Sequence, residues 1–100
     1  MSADERVKLH ELAERELTDG VRFYLSVSSE LATSFLDDVE TSLSRISRHP
    51  QMGAQVTVQV RSLPLARFPY SVFYRAKDAA IEVLALGHHR RRPLYWRRRT

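Results

Sequence analysis

The sequence predicts an α+β protein in which a helical hairpin packs on a small, mostly antiparallel sheet, in the order β-α-α-β-β-β. Residues 11–49 repeat apolar side chains with the spacing of amphipathic helices. Residues 56–86 alternate polar and apolar side chains or run continuously apolar, as strands do. Helical and strand patterns therefore occupy separate parts of the chain, which is typical of α+β architecture. With 100 residues, of which 43% are hydrophobic, we expect a single domain over residues 1–100.

The first quarter of the chain predicts a short strand and an amphipathic helix. Residues 7–10 alternate apolar and polar side chains, which favours a strand. The period then becomes helical, and Gly20 within this helix indicates close packing against the next one. The predicted buried face comprises Ala13, Leu17, Val21, Tyr24 and Leu25, whereas Glu11, Glu14, Arg15 and Glu16 are expected largely off that face.

A second amphipathic helix follows directly. Ser28 or Ser29 can cap its N-terminus, since a hydroxyl there accepts a free backbone N–H. His49-Pro50 ends it, because proline disfavours helical geometry in the residue before it. The predicted core residues of this helix are Ala32, Phe35, Leu36, Val39, Leu43 and Ile46, with Asp37, Asp38, Glu40 and Ser44 on the other side.

Three strands are predicted after the second helix. Residues 56–60 alternate, and a change of parity after them indicates a bulge or bend near Pro64. Residues 68–74 alternate in the next strand, and a turn at 77–79 follows. Residues 81–86 are almost continuously apolar, which predicts a central strand covered on both faces.

Positive charge is concentrated at the C-terminal end. Residues 1–60 carry six basic and ten acidic residues, whereas residues 61–100 carry ten basic and two acidic ones, within a net charge of +4. Such segregation predicts a polyanionic target or an acidic partner for the second half. The candidate nucleic-acid-binding residues are Arg61, His88, Arg90, Arg92, Arg97 and Arg98.

Several function classes are excluded by composition. The chain has no cysteine, which excludes disulfides, zinc ribbons, thiol nucleophiles and iron–sulfur sites, and fits a cytoplasmic location. No window reaches about 18 consecutive apolar residues, and the acidic N-terminus lacks an apolar stretch, so we expect neither a membrane span nor a secretory signal. The adjacent histidines His88 and His89 point to opposite faces of a strand, and we expect no metal and no cofactor.

Several short motifs, in order, resemble the RelE/ParE superfamily of bacterial toxins from type II toxin–antitoxin pairs. The resemblance covers roughly residues 5–98 and implies the β-α-α-β-β-β fold. It also implies a toxin held inactive by a cognate antitoxin whose C-terminal segment wraps it. The matching pieces are the N-terminal strand, Leu17, Tyr24, residues 31–50, Arg61, Arg67-Phe68-Pro69-Tyr70-x-Val72-x-Tyr74, Ile81-x-Val83-Leu84-Ala85-Leu86, His89-x-Arg91 and Pro93-x-Tyr95-Trp96.

RelE-like members are ribosome-dependent endoribonucleases, and this is the first predicted function. Metal-free RNA cleavage needs a base for the 2′-OH, a cation beside the phosphate and an acid for the leaving oxygen. We expect His89 to act as acid or base, and Tyr95 to stack on a base or transfer a proton. Arg67 and Arg91 are expected to contact the phosphate. If the strands pair about the 77–79 turn, Arg67 and His89 face each other across one anion-binding hollow.

Two alternatives remain open at this stage. ParE-like members poison DNA gyrase, which needs a binding surface but no proton-transfer set. The Arg67-Phe68-Pro69-Tyr70 string and the Pro93-x-Tyr95-Trp96 ending resemble this type more closely. A small basic module that holds nucleic acid non-specifically through counterion release is the third reading. In each case we expect Trp96 to anchor the end of the chain on the sheet and to hold Tyr95 in place.

Overall fold

A computed structural model describes residues 6–100 of the chain. It confirms the α+β class, with two helices packed on a five-stranded sheet of order β1-β5-β4-β3-β2. β1 runs parallel to β5, and the other neighbouring strands are antiparallel. The elements are β1 Val7–Leu9, α1 Glu11–Leu25, α2 Ser29–Arg48, β2 Ala54–Gln55, β3 Arg61–Pro64, β4 Tyr70–Lys77, β5 Ala80–His88 and a 3-10 helix at Arg97–Arg99.

The helical hairpin agrees with the sequence prediction at both ends and at its crossing point. Ser28 caps α2, because its Oγ accepts the N–H of Leu31 at 3.0 Å. A Cβ added to Gly20 would lie 2.7 Å from the ring of Phe35, so the two helices pack closely where the glycine predicted it. Among residues 6–100, neither helix combines the length and apolar character that crossing a bilayer would require.

The sheet carries buried side chains on both faces, as the apolar run of β5 predicted. The cluster under the helices includes Phe35, Val39, Ile46, Val72, Tyr74, Ile81, Val83 and Leu86. The opposite cluster comprises Val60, Leu84, Ala85 and Trp96, with Phe73 and Tyr95 packed against it.

A β-bulge in β5 explains how neighbouring residues reach these two clusters. Phe73 pairs with Ala85 and Tyr74 pairs with Val83, so Leu84 is an extra residue with no partner on β4. Such a residue breaks the alternation of faces. Leu84 and Ala85 therefore both lie on the face away from the helices.

The strand predicted over residues 56–60 is wrong. These residues form the turn between β2 and β3, where Val60 O accepts the N–H groups of Val56 and Thr57. Val58 at the turn is 91% exposed. The change of parity comes from this turn and not from a bulge near Pro64, where the β3–β4 ladder is regular.

Candidate functional site

The C-terminal segment, residues 89–100, leaves β5 and folds back onto the sheet. Trp96 is 1% exposed, and its ring lies 5.2 Å from that of Phe73. The prediction that Trp96 anchors this segment on the sheet is confirmed. Leu94 adopts a φ of 60°, a left-handed conformation that is uncommon for a residue with a side chain and marks where the segment reverses.

Glu16 of α1 joins the C-terminal segment to the helical layer. Its Oε2 accepts the Tyr95 hydroxyl at 2.6 Å. Its Oε1 accepts Arg99 Nη1 at 2.7 Å and the backbone N–H of Leu86 at 3.1 Å. Arg91 Nη1 lies 3.8 Å from Oε2 and adds a second ion pair. The carboxylate is therefore surrounded by donors from β5 and from the C-terminal segment.

The Tyr95 ring lies against two guanidinium groups. The central carbon of Arg91 is 3.9 Å from the ring centroid and that of Arg99 is 5.0 Å away, both within cation–π range. Burial, together with the hydrogen bond to Glu16, raises the pKa of the Tyr95 phenol well above its usual value. At neutral pH the hydroxyl is thus a fixed hydrogen-bond donor to Glu16.

The arginines of the C-terminal segment fall into two groups. Arg91 and Arg99 are ion-paired with Glu16. The others are exposed, and their side chains form no hydrogen bond or ion pair within the described chain: Arg90, Arg92, Arg97 and Arg98. Four of the six predicted nucleic-acid-binding residues are thus available to an anion.

The two adjacent histidines are both engaged. His88 Nδ1 accepts the backbone N–H of Arg90 at 3.0 Å, and its ring packs edge-on against Tyr70. His89 Nε2 lies 3.0 Å from the hydroxyl of the buried Ser71. These contacts fix both rings at the point where β5 ends.

The predicted pairing of Arg67 with His89 is wrong. The ladder pairs Tyr70 with His88, and the N–H of His89 donates to Pro69 O at 2.9 Å. The register is displaced by two residues for two reasons. The turn has two residues between Lys77 and Ala80, where the prediction centred it on one, and the bulge in β5 adds another.

Arg67 itself lies in the β3–β4 loop, where α2 holds it. Its backbone N–H donates to Asp38 Oδ2 at 2.9 Å, and the N–H of Ala66 donates to Oδ1 at 3.2 Å. The Arg67 side chain is exposed. Asp38 was expected on the solvent side of α2 but is 5% exposed, because it binds this loop.

Arg61, the remaining predicted nucleic-acid-binding residue, is also used internally. Its Nη1 donates to the carbonyl oxygens of Gln51 and Gly53, at 3.3 and 2.9 Å. It lines a different cavity, of about 510 Å³, together with Arg75 and Lys77. Arg61 is therefore not part of the surface formed by the C-terminal segment.

A cavity of about 310 Å³, the tail cavity, lies on the sheet face away from the helices. It brings together five of the predicted site residues but neither Arg61 nor Arg67. Apolar side chains, among them Phe73, Leu94 and Trp96, form much of its wall. The predicted residues that line it are His88, His89, Arg91, Arg92 and Tyr95.

A second cavity, of about 410 Å³, lies between α1 and the ends of β4 and β5. Its wall combines the acidic Glu16 and Asp19 with the basic Arg90 and Arg91. Phe23, 61% exposed, lies at this cavity as well. No group of three or more histidine, aspartate and glutamate side chains in residues 6–100 lies close enough together to hold a metal ion.

Sequence reasoning missed Glu16 as a site residue. The acid was expected off the buried face of α1, yet its side chain is only 14% exposed. Its partners Tyr95 and Arg99 are 79 and 83 positions away along the chain. No local pattern could have indicated contacts at that separation.

Comparison with known proteins agrees with this fold and assigns the family. A solved structure described as a chromosomal ParDE toxin–antitoxin system from P. aeruginosa is similar, with a TM-score of 0.71 and 23% identity. The match covers 82% of this chain and 92% of that one. No curated protein matches the chain in sequence.

The sequence profile of the ParE toxin of the type II toxin–antitoxin system parDE matches residues 7–93. This chain therefore belongs to the ParE toxin family of type II toxin–antitoxin systems. The superfamily resemblance on which the sequence analysis depended is confirmed.

Proposed function

We propose that this protein is a growth-inhibiting toxin that acts on DNA gyrase, and that it does so by binding and not by cutting RNA. ParE-like members of the superfamily poison gyrase, and the chain belongs to the ParE family. The observation that favours gyrase over RNA is that Glu16 accepts the hydroxyl of Tyr95 and forms an ion pair with Arg91. Two of the four groups predicted to cleave RNA are used to hold the C-terminal segment.

The pKa of Tyr95 and the position of Arg67 also favour binding over RNA cleavage. A general acid works best when its pKa lies near the operating pH, whereas burial and Glu16 raise the pKa of Tyr95. Of the two predicted phosphate ligands, Arg91 lines the tail cavity that holds His89, whereas Arg67 does not. A gyrase-binding surface requires none of these proton transfers.

The free arginines supply what a gyrase–DNA target would need. Four exposed guanidinium groups without an internal partner lie on one short segment, at positions 90, 92, 97 and 98. Arginine donates to phosphate oxygens through a rigid fork of N–H groups, and such contacts position a protein on DNA. We infer that the C-terminal segment contacts the DNA that gyrase holds.

Induction of the protein in cells tests the target. DNA breaks with uncut messenger RNA are expected, whereas cut transcripts with intact DNA would contradict the gyrase proposal. The double variant Arg97→Gln/Arg98→Gln should lose killing. The matched control Arg45→Gln/Arg48→Gln removes the same charge from exposed positions on α2 and should kill normally.

Cleavage of mRNA on the ribosome is the second candidate, favoured by one observation. The tail cavity gathers His88, His89, Arg91, Arg92 and Tyr95, and so combines two imidazoles with two guanidinium groups. Histidine can transfer protons near neutral pH. Transcripts cut at defined positions after induction, with no DNA damage, would establish this candidate instead.

We further propose that a cognate antitoxin covers the helical hairpin and the basic face. Three apolar side chains near the α1–α2 turn are strongly exposed: Phe23 at 61%, Leu25 at 54% and Val27 at 66%. A partner that buries these side chains and places acidic residues beside the free arginines would complement both the helical hairpin and the basic face.

The apolar part of this interface can be tested with two exposed apolar side chains, Phe23 at 61% and Val58 at 91%. Phe23→Ser should weaken binding of the product of the adjacent small reading frame, because it removes apolar area from the hairpin. Val58→Ser, at the β2–β3 turn, is the control and should leave the affinity unchanged. Equal affinities of the two variants, or a wild-type protein that does not associate, would contradict the proposal.

A further inference from the structure

The side chains of Glu16 and Arg99 form hydrogen bonds with the backbone of β5 beyond the point where β1 stops pairing with it. β1 pairs only with residues 81–83. Beyond that point the N–H of Leu86 donates to Glu16 Oε1 at 3.1 Å, and Leu84 O accepts Arg99 Nη1 at 3.1 Å. The bulge at Leu84 changes which backbone groups reach this edge, so α1 and the C-terminal segment meet on it.

The contact between Glu16 and Arg99 is shielded from solvent. The Glu16 side chain is 14% exposed and that of Arg99 is 11% exposed. Arg99 donates from both terminal nitrogens, at 2.7 Å to Oε1 and 3.3 Å to Oε2. Two-point pairs of this kind fix geometry as well as supplying energy. Loss of the carboxylate would leave a nearly buried guanidinium without its anion.

The two arginines that pair with Glu16 each lie next to arginines that have no internal partner. Arg91, which pairs with Glu16, is flanked on both sides by Arg90 and Arg92. Arg99, which pairs with the same carboxylate, directly follows Arg97 and Arg98. Glu16 thus holds one arginine of each group, and the neighbouring arginines of both groups stay exposed.

We propose that Glu16 is the positioning residue of the C-terminal segment. Its carboxylate forms ion pairs with two arginines, accepts the hydroxyl of Tyr95, and so holds the other four cations in one arrangement that a DNA backbone can contact. This inference depends on the proposed function, because the polyanion is taken to be the DNA held by gyrase. The cations presented in this way are Arg90, Arg92, Arg97 and Arg98.

Replacing Glu16 by an uncharged residue distinguishes a positioning role of its carboxylate from an effect of net charge on DNA binding. Glu16→Gln makes the protein more positive, so charge alone predicts tighter binding to a short DNA duplex. The proposal predicts the opposite, with affinity about tenfold lower and a salt slope shallower by about two, since fewer phosphates are neutralised together. Glu14→Gln is the matched control, because it removes the same negative charge from an exposed position of α1. This variant should bind the duplex as tightly as the wild type or slightly more tightly.

Trp96, the only tryptophan of the chain, reports whether the segment is seated. In Glu16→Gln we expect acrylamide to quench its fluorescence more strongly and trypsin to cleave faster at residues 97–99. Circular dichroism of the same samples reports the folding of the helices. Arg99→Gln removes the other half of the pair without changing α1, and it should show the same stronger quenching of Trp96 and faster cleavage at residues 97 and 98 if Glu16→Gln proves unable to fold.

Failure of the positioning role of Glu16 and failure of the gyrase proposal would give different results. Affinity and salt slope in Glu16→Gln equal to those of the charge-matched Glu14→Gln would overturn the proposal, and so would a wild-type protein that binds no duplex. Unchanged quenching of Trp96 would overturn it as well. Failure of the gyrase proposal would look different: wild-type DNA binding would be present, while purified gyrase would remain uninhibited.

Discussion

The hydroxyl of Tyr95 donates a 2.6 Å hydrogen bond to Oε2 of Glu16, across 79 positions of sequence. This bond ties the end of the chain to the first helix. It also removes the tyrosine proton from the chemistry that a ribonuclease would require of it. The same contact therefore bears on the stability of the C-terminal segment and on the choice of target.

Tyr95→Phe should lower the free energy of unfolding by about 1.5 kcal/mol, because a hydrogen bond to a charged group is lost and the largely buried Glu16 carboxylate keeps one donor fewer. The ring, its packing and its contact with Arg91 are retained. Urea unfolding followed by circular dichroism measures the difference. A midpoint equal to that of the wild type, with an unchanged slope, would show that the bond contributes nothing to stability.

Asp38→Asn should destabilise the protein by about 2 kcal/mol. The buried carboxylate accepts the N–H groups of Ala66 and Arg67, and an amide offers only one oxygen to the two donors. Asp37→Asn is the control, since Asp37 is the exposed neighbour on the same helix. Equal unfolding midpoints for the two variants would contradict the role given to Asp38.

Gly20→Ala should be destabilising by about 1 to 3 kcal/mol, although alanine favours helices more than glycine does. The added Cβ would lie 2.7 Å from the Phe35 ring, which is fully buried among other aromatic rings and has little room to move. Thr18→Ala, at an exposed position of α1, should be neutral or slightly stabilising. A higher melting temperature for Gly20→Ala would refute the close packing of the hairpin.

Stability should fall at alkaline pH through Tyr70. Burial, assisted by the nearby Tyr24, raises the pKa of the Tyr70 phenol from 10.0 to about 12. The contribution of Tyr70 to the free energy of unfolding is fully present below about pH 10. It is lost as the pH rises toward 12, because the phenol loses its proton at a lower pH in the unfolded chain than in the folded one.

Tyr70→Phe removes this source of alkaline sensitivity. The urea midpoint of the variant should rise relative to that of the wild type between about pH 9 and pH 11.5. The raised pKa of Tyr95 affects both proteins equally and cancels in this difference. A difference in midpoint that does not change with pH would show that Tyr70 titrates normally.

Two valines of one predicted strand should respond differently to substitution. Val58→Ala should change stability by less than about 0.5 kcal/mol, because the side chain is 91% exposed at a turn. Val60→Ala should cost about 2 kcal/mol, since Val60 is 1% exposed and packs with Leu84 and Trp96. Similar costs at both positions would indicate a continuous strand through this region.

Local patterns predicted where the helices and the central strands lie. One assignment was wrong: Leu25, predicted on the buried face of α1, is 54% exposed at the end of the helix. The apolar spacing around Phe35 and Val39 reports the face that α2 buries, and Ser28 marks where it begins. The continuous apolar run of β5 reports burial on both faces of the sheet. Each of these signals comes from residues close together in sequence.

The candidate site depends on contacts that no local pattern encodes. Alternating valines around Val58 satisfy a strand pattern, although the chain turns there. The two-residue turn after Lys77 and the bulge at Leu84 together displace the pairing of β4 with β5, and so separate Arg67 from His89. Glu16 and Asp38 resemble solvent-exposed helical acids until their distant partners are known.

Supercoiling by purified gyrase, measured against increasing concentrations of the wild-type protein, tests the target most directly. We predict concentration-dependent loss of supercoiling and accumulation of cleaved DNA, with loss of both in Arg97→Gln/Arg98→Gln. Full supercoiling at every concentration, alongside messenger RNA cut on purified ribosomes by the same preparation, would contradict this account.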